Sequence, residues 1–230
     1  MTPAVSLAPP FPGVTGTVVY FGTGQYLGVP DQTTTQTQAF YAVLDNNSGT
    51  TVSKGQLVQQ VITDVAAGAS TAGGGTTTVE TRTVTNNSVN WTSQLGWYMN
   101  LPDSGERSIT DPRLYDGEVV FTTYVPAPGA ACVGGGAAFL MAVNYNSGGS
   151  FPQPQLDING DGKLDANDSL TTGNPVGIGL GSVYASAPDI LSTSIPGLPV
   201  MKLTTLSTGT VMNVGERGGM AQQRSWIQIQ

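Results

Sequence analysis

Residues 157–168, which read D-I-N-G-D-G-K-L-D-A-N-D, carry the clearest chemical pattern in this chain. The side-chain oxygens of Asp157, Asn159 and Asp161 stand at positions 1, 3 and 5 of a calcium-binding loop. Gly162 stands at position 6, where the chain of such a loop must turn sharply. This spacing predicts a site for a hard divalent cation, Ca²⁺.

The second half of the loop supplies the remaining oxygens. Lys163 at position 7 contributes its backbone carbonyl, and Asp165 at position 9 binds directly or through a water molecule. Asp168 at position 12 could close the coordination shell, although a Glu is the usual bidentate ligand there. Asp168 is therefore left open as an extra ligand. The predicted metal ligands are Asp157, Asn159, Asp161, Lys163 and Asp165.

A solvated turn is the alternative interpretation of this segment, because Asn, Asp and Gly also cluster in turns. However, the four carboxylates within the loop repel one another and only one Lys lies among them, so a cation would remove that repulsion. Oxygen donors without Cys or His favour Ca²⁺ over zinc or copper, and a flexible shell of several carboxylates favours it over Mg²⁺. The Gly and Pro residues on both sides exclude the helices of an EF-hand. The loop is therefore expected to stand alone between strands.

The composition of the whole chain is typical of an all-β protein. Charged side chains make up 10% of the 230 residues, Gly and Pro are abundant, and long amphipathic helical periods are nearly absent. The formal net charge of −7, with only eight scattered Lys and Arg, argues against nucleic acid and anionic membrane surfaces as partners. Such a balance suits a secreted protein that handles cations.

Catalysis has little support in the residue types present. The absence of His excludes Ser-His-Asp triads, H-E-x-x-H zinc sites and imidazole acid-base chemistry. Cys132 has no basic neighbour, so we expect a small packed residue or a bond to a cysteine outside the chain. A glycosidase needs two facing carboxylates, but the glutamates show no pairing signal and are expected to be solvated surface charges. They are Glu80, Glu106, Glu118 and Glu216.

Short apolar and β-branched runs, bounded by Gly and Pro, predict a series of strands. Residues 15–22 and 38–44 are expected to form an antiparallel pair. The alternating end Q-R-S-W-I-Q-I-Q predicts a terminal edge or closing strand, and the tryptophans are expected to anchor the core. Further strands are expected within residues 77–85, 91–101, 117–125, 137–145, 176–183 and 199–206. The tryptophans are Trp91, Trp97 and Trp226.

Residues 56–65 carry the one helical pattern, an i, i+4 stripe of about two to three turns. Residues 68–78 are rich in Thr and Gly and predict a surface loop or a hairpin tip. No run of about eighteen apolar residues exists, so no membrane span is expected. The first residues lack the basic and apolar regions of a signal peptide, so an exported protein would carry its signal upstream. The apolar positions of the helical stripe are Leu57, Val58, Val61, Ile62 and Val65.

Several motifs follow one another from about Val18 to the end of the chain. They are G-T-V-V-Y-F-G-T-G-Q-Y-L, T-Q-A-F-Y-A-V-L-D, G-W-Y-M-N-L-P-D-S-G-E-R-S-I-T-D-P, V-V-F-T-T-Y-V-P, G-G-G-A-A-F-L-M-A-V, the calcium loop and R-S-W-I-Q-I. In this order they resemble the C-terminal domain of the PilC/PilY family of type IV pilus biogenesis proteins and tip adhesins. Residues 68–78 match no hallmark of that family.

The resemblance implies a non-enzymatic, calcium-binding pilus factor. The family's domain is a modified β-propeller, related in shape to quinoprotein dehydrogenases, whose calcium loop controls pilus extension and retraction. The implied location is the pilus tip or outer membrane, reached through the periplasm. Pilins or minor pilins are the implied partners, together with a host or abiotic surface receptor. The family's domain is longer, so residues 1–230 are expected to form a single region of its later blades. The loop residues that match are Asp157, Asn159, Asp161, Lys163 through its carbonyl, and Asp165.

Two other functions stay open. A quinoprotein dehydrogenase would share the propeller and the calcium, but the chain shows no tryptophan-docking repeat and no vicinal cysteine pair. A secreted β-rich module could instead use calcium purely as a structural staple. In that case, removing calcium would lower the melting temperature and leave pilus function intact wherever the fold survives.

Overall fold

The computed structural model describes residues 4–6, 14–127, 135–191 and 200–216. Within these ranges the chain forms β-strands and three short 3-10 helices, with no α-helix, so the all-β fold is confirmed. No helix in these ranges is long and apolar enough to cross a membrane. The strands are β1 (Ala4–Ser6), β2 (Thr17–Gly22), β3 (Ala39–Asp45), β4 (Val58–Val65), β5 (Thr81–Val84), β6 (Gly96–Asn100), β7 (Arg113–Tyr115), β8 (Glu118–Pro126), β9 (Gly136–Asn144), β10 (Gly177–Gly181), β11 (Asp189–Leu191), β12 (Val200–Thr205) and β13 (Val211–Glu216).

Ten of these strands join in one large sheet, in the order β1-β2-β3-β6-β4-β5-β10-β9-β8-β7, and β11-β12-β13 form a small antiparallel sheet. Strand β4 links the two halves of the large sheet. Its residues 58–61 run parallel to β6, whereas its residues 62–65 pair antiparallel with β5. The edge strands β1 and β7 approach each other. The large sheet is therefore strongly curled, and its two halves face one another.

The inner core lies between β2, β3 and β6 on one side and β8 and β9 on the other. The rings of Phe40 and Phe121 stack across this interface with their centroids 3.8 Å apart. Trp97 is fully buried, and its Nε1 donates to the carbonyl of Tyr145 at 3.0 Å. Trp91 is also buried. The expectation that these two tryptophans anchor the core is confirmed.

A second core covers the opposite face of β8, β9 and β10. Residues 138–143 of β9 are all buried, because their side chains pack alternately into the first and the second core. A strand covered on both faces is expected to be apolar at every position rather than at every other one. The run A-F-L-M-A-V therefore reflects the central position of β9.

The strand predictions hold with small shifts of their ends. The antiparallel pairing of the first two is confirmed, with Val18 opposite Leu44 and Tyr20 opposite Ala42. The strand within residues 77–85 is shorter than expected, because it forms only at Thr81–Val84. The predictions made for Cys132, Trp226 and the closing strand fall outside the described residues.

The helix predicted for residues 56–65 is wrong. A 3-10 turn at Lys54–Gln56 leads directly into β4. The strand buries Gln60 and Ile62 on one face and leaves the side chain of Val61 49% exposed. The Gln60 amide is satisfied in the interior by backbone groups of two neighbouring loops. The apolar spacing of these residues suits a helix, but their β-branched side chains fit a strand equally well. Pairing with β6 and β5 decides in favour of the strand.

Candidate metal centre

The candidate loop, residues 157–168, lies between β9 and β10 on the second core. Leu156 and Ile158 are fully buried and pack in the same cluster as Leu140 of β9 and Ile178 of β10. Asp157, between these two anchors, is half-exposed. The start of the loop is therefore fixed to the sheet by apolar contacts, while its polar side chains stay accessible.

Asp157 and two glycines build the first turn of the loop. The Asp157 carboxylate accepts hydrogen bonds from Gly160 N at 2.7 Å and from Gly162 N at 2.8 Å. Gly160 has φ 75° and Gly162 has φ 77°, a left-handed conformation that glycine adopts without a Cβ penalty. The expected sharp turn at Gly162 is confirmed.

The next side chains repeat this pattern along the loop. Asn159 Oδ1 accepts from Asp161 N at 2.9 Å, and Asp161 Oδ1 accepts from Lys163 N at 2.8 Å. Asp165 Oδ1 accepts from Asn167 N at 2.7 Å and begins the 3-10 helix Ala166–Asp168. Each predicted side-chain ligand thus accepts a hydrogen bond from a backbone N–H two to five residues further on.

The buried side chain of Asp168 joins the beginning of the loop to its end. Its side chain is fully buried, and its two carboxylate oxygens accept from Ile158 N and from Asp165 N, each at 3.0 Å. Burial raises the pKa of Asp168, the two backbone hydrogen bonds oppose that shift, and the nearby loop carboxylates add to it. The carboxylate therefore ties the beginning of the loop to its end.

A hairpin formed by residues 68–78 packs against the end of the loop. Ala72 N donates to Ser169 O at 2.7 Å, and Gly73 N donates to Ala166 O at 2.8 Å. The hairpin was one of the two forms expected for this low-complexity segment. Its contact with the loop was not visible in the sequence, because the two segments are far apart along the chain.

Gly73→Ala is expected to lower the free energy of unfolding by about 1–3 kcal/mol, the usual cost of overpacking. A Cβ at Gly73 would overlap the side chain and backbone of Asn167, so the hairpin and the loop would have to separate. Urea denaturation measures the change. Gly75→Ala is the matched control, because a Cβ there meets only ordinary contacts. Equal stability of the two variants would contradict the close approach.

The loop residues suit a hard cation, although their side chains are not gathered around one point. Across the described ranges, no group of three or more Asp, Glu, Cys or His side chains is close enough to hold a metal ion. An Asp carboxylate has about four lone-pair sites, so one or two backbone hydrogen bonds leave acceptor capacity for a ligand. Lys163 forms no ion pair within the described residues that would neutralise the loop.

A buried charge cluster around Arg82 lies outside the loop. The guanidinium is fully buried, lies 3.4 Å from the ring centroid of Phe139 and contacts three carboxylates. The distances are 2.7 Å from Nε to Asp64, 2.8 Å from Nη2 to Asp103 and 2.5 Å from Nη1 to Glu106. Burial alone would lower the pKa of Arg82, but Glu106 and Asp64 outweigh burial and raise it.

The expectation that the glutamates are solvated is wrong for two of them. Glu106 and Glu118 are buried, and Glu118 lies 2.6 Å from the ammonium of Lys202. Glu80 is exposed as expected, and the exposure of Glu216 is not described. The available signal was a charged residue, Arg82, in the middle of a predicted strand, since a charge in such a position requires a partner.

Known proteins are similar to most of this chain. No family model matches it. The chain is similar in sequence to two curated proteins of Xylella fastidiosa, both named Type IV pilus biogenesis factor PilY1 homolog. One is 32% identical over 140 residues, covering 59% of this chain and 9% of the relative. The other is 30% identical over 208 residues, covering 87% of this chain and 14% of the relative. The chain thus spans a small part of the length of the relatives it matches.

A solved structure shares the fold. The crystal structure of the Pseudomonas aeruginosa PilY1 C-terminal domain aligns with a TM-score of 0.70 and 21% sequence identity, over 92% of this chain and 43% of that one. The expected likeness to this domain is confirmed for the fold.

Proposed function

Since this chain is homologous to the PilY1 homologs of Xylella fastidiosa, we propose that it acts in type IV pilus biogenesis, as part of the C-terminal domain of a pilus factor. The observation that carries the proposal is the alignment of 208 residues with one such factor, which includes most of the described strands. The common fold with the Pseudomonas domain supports it.

The proposed architecture of the complete domain is a modified β-propeller, of which this chain forms the later blades. Propeller blades are small sheets arranged around a common axis. The two halves of the curled sheet, stacked through Phe40 and Phe121, resemble two neighbouring blades. The chain spans 43% of the Pseudomonas domain, which leaves room for further blades in a longer protein.

The proposed ligand is one Ca²⁺ ion, bound by the five residues predicted from the sequence. When bound, the ion would supply a positive charge that cancels the repulsion among the loop carboxylates. The chain's own contribution is to hold the backbone of the loop through glycine turns, backbone hydrogen bonds and the Asp168 carboxylate, although the donor side chains are not gathered around one point. The proposed ligands are Asp157, Asn159, Asp161, Lys163 through its carbonyl, and Asp165.

The proposed role of this ion is regulatory and not enzymatic. Calcium would fix the loop and so bias pilus extension, retraction and surface adhesion. The protein would act at the cell surface or pilus tip, after export through the periplasm. Its partners would be pilins or minor pilins and a receptor on a host or abiotic surface. Extracellular calcium sites with dissociation constants of about 10⁻⁴–10⁻³ M are sufficient for such a role.

Asp161→Ala and Asp165→Ala are expected to abolish calcium binding in calorimetric titration, because each removes a proposed ligand. At a hundredfold excess over the dissociation constant, calcium should stabilise the unchanged protein by about 2.7 kcal/mol and both variants by nothing measurable. Asp45→Ala, which removes an exposed carboxylate at the end of β3, is the matched control. Unchanged calcium affinity in both loop variants would reject the site.

A purely structural calcium site is the second candidate, favoured by the hydrogen bonds that already join the loop to the 68–78 hairpin. The same variants separate the two roles when they are placed in the full-length factor of a piliated bacterium. Altered piliation with an intact fold would support a regulatory role for calcium, whereas a loss of thermal stability without altered piliation would support a purely structural role. Dye-linked alcohol oxidation with pyrroloquinoline quinone would reveal an enzyme and overturn the proposal.

A further inference from the structure

The small sheet β11-β12-β13 is joined to the large one by a buried ion pair. Lys202 of β12 is fully buried, and its ammonium lies 2.6 Å from the carboxylate of Glu118, at the start of β8. Glu118 is 1% exposed. A charge buried this deeply is tolerated only with its partner present, so detaching the small sheet would leave Glu118 unpaired or force water into the core.

The same lysine also contacts the chain that leads into the metal loop. Lys202 Nζ donates to the carbonyl of Gln155 at 3.5 Å, shortly before the first proposed ligand, Asp157. Apolar contacts run alongside this polar one. Leu156 packs in the same buried cluster as Val214 of β13 and further side chains of the small sheet. The small sheet and the beginning of the loop thus rest on each other.

We propose that Lys202 and Glu118 couple calcium binding to the docking of the small sheet, an inference that rests on the proposed calcium site. The sheet β11-β12-β13 would then be the element through which the cation acts. Coordination by Asp157 would fix the backbone around Gln155. A fixed Gln155 carbonyl stabilises the docked position of Lys202. A docked Lys202 in turn holds the loop in its binding conformation.

Such coupling is reciprocal, because the free energy that links two binding events is the same from either side. Calcium should therefore tighten the small sheet, and disrupting the ion pair should weaken calcium binding. Coupling energies in proteins commonly change an affinity about 5–150-fold. We expect a weakening of at least about fivefold when the ion pair is removed.

The test combines hydrogen exchange with calcium titration. In the unchanged protein, calcium should slow amide exchange in β12 and β13 at least fivefold. Lys202→Met combined with Glu118→Leu removes both charges at once, which avoids a buried unpaired ion. This double variant should bind calcium at least fivefold more weakly and show no calcium-dependent slowing. Arg113→Ala is the matched control, because Arg113 and Asp189 also join the two sheets, at 3.8 Å, but are well exposed.

The outcomes separate the two proposals. If the unchanged protein does not bind calcium, the proposed site and the coupling both fall. If it binds calcium while exchange in β12 and β13 stays the same, the coupling is overturned and the site stands. The exchange experiment on the unchanged protein gives this answer even if the double variant fails to fold. Equal calcium affinity in the double variant and in Arg113→Ala would also overturn the coupling.

Discussion

Replacing Arg82 by Met is expected to lower the free energy of unfolding by about 3–5 kcal/mol, the usual result of breaking a buried ion pair from one side. The guanidinium contacts three carboxylates, and Glu106 among them is fully buried. Asp64 and Asp103 are partly exposed, so water can solvate them once the arginine is gone. Most of the loss therefore comes from Glu106, which stays buried without a cation and keeps only the hydrogen bond from Asp103 N.

Chemical denaturation of the variant measures this loss. Arg113→Met is the control, because the Arg113–Asp189 pair is exposed and such pairs contribute about 0–1 kcal/mol. Arg82→Met combined with Glu106→Leu should recover part of the stability, since the stranded carboxylate is removed as well. A loss below about 1 kcal/mol in Arg82→Met would show that the cluster does not organise the fold.

Asp168→Ala is expected to lower the free energy of unfolding by about 1–3 kcal/mol in the absence of calcium, because it removes the acceptor of two loop amides and a buried N–H without an acceptor costs about 1–3 kcal/mol. The two amides concerned belong to Ile158 and Asp165. Burial raises the pKa of Asp168, so the ionised carboxyl is itself unfavourable there, and the net loss stays below the sum of two orphaned donors. Calcium affinity should fall about 10–100-fold, as it does when a residue that orients metal ligands is removed.

Asp161→Ala distinguishes the structural contribution of Asp168 from the loss of a proposed metal ligand. Asp161 is exposed, so its loss should change stability by less than about 0.5 kcal/mol when calcium is chelated. Thermal unfolding with a chelator and then with excess calcium compares the two variants. Equal stability of Asp168→Ala and the unchanged protein in chelator would mean that Asp168 acts only as an outer ligand.

Local sequence signals were most successful where one strand or one turn decides the structure. The strand at 137–145 was predictable because an uninterrupted apolar run can satisfy a position covered on both faces. The glycine turn at Gly162 was predictable because only glycine adopts its backbone conformation cheaply. Residues 56–65 failed because their apolar spacing suits either a helix or a strand, and pairing with β5 and β6 decided between them.

The partners of buried charges could not be predicted, since they come from distant parts of the chain. Glu106 lies in a polar segment that resembles a surface turn, and only the fold brings Arg82 against it. Glu118 is paired with Lys202 from a different sheet. The contact of the low-complexity hairpin at 68–78 with the end of the 157–168 loop likewise depends on segments far apart in the sequence.

The sequence by itself determined the order and chemical type of the proposed oxygen donors from Asp157 to Asp165, because the ligands of such a loop are alternate residues of one short segment. The tertiary structure alone decided the place of Asp168, whose carboxylate lies on the amides of Ile158 and Asp165. It also decided which elements support the loop, namely the 68–78 hairpin and the small sheet. The physical reason is that ligand type is a local property, whereas burial and hydrogen-bond partners depend on segments that only folding brings together.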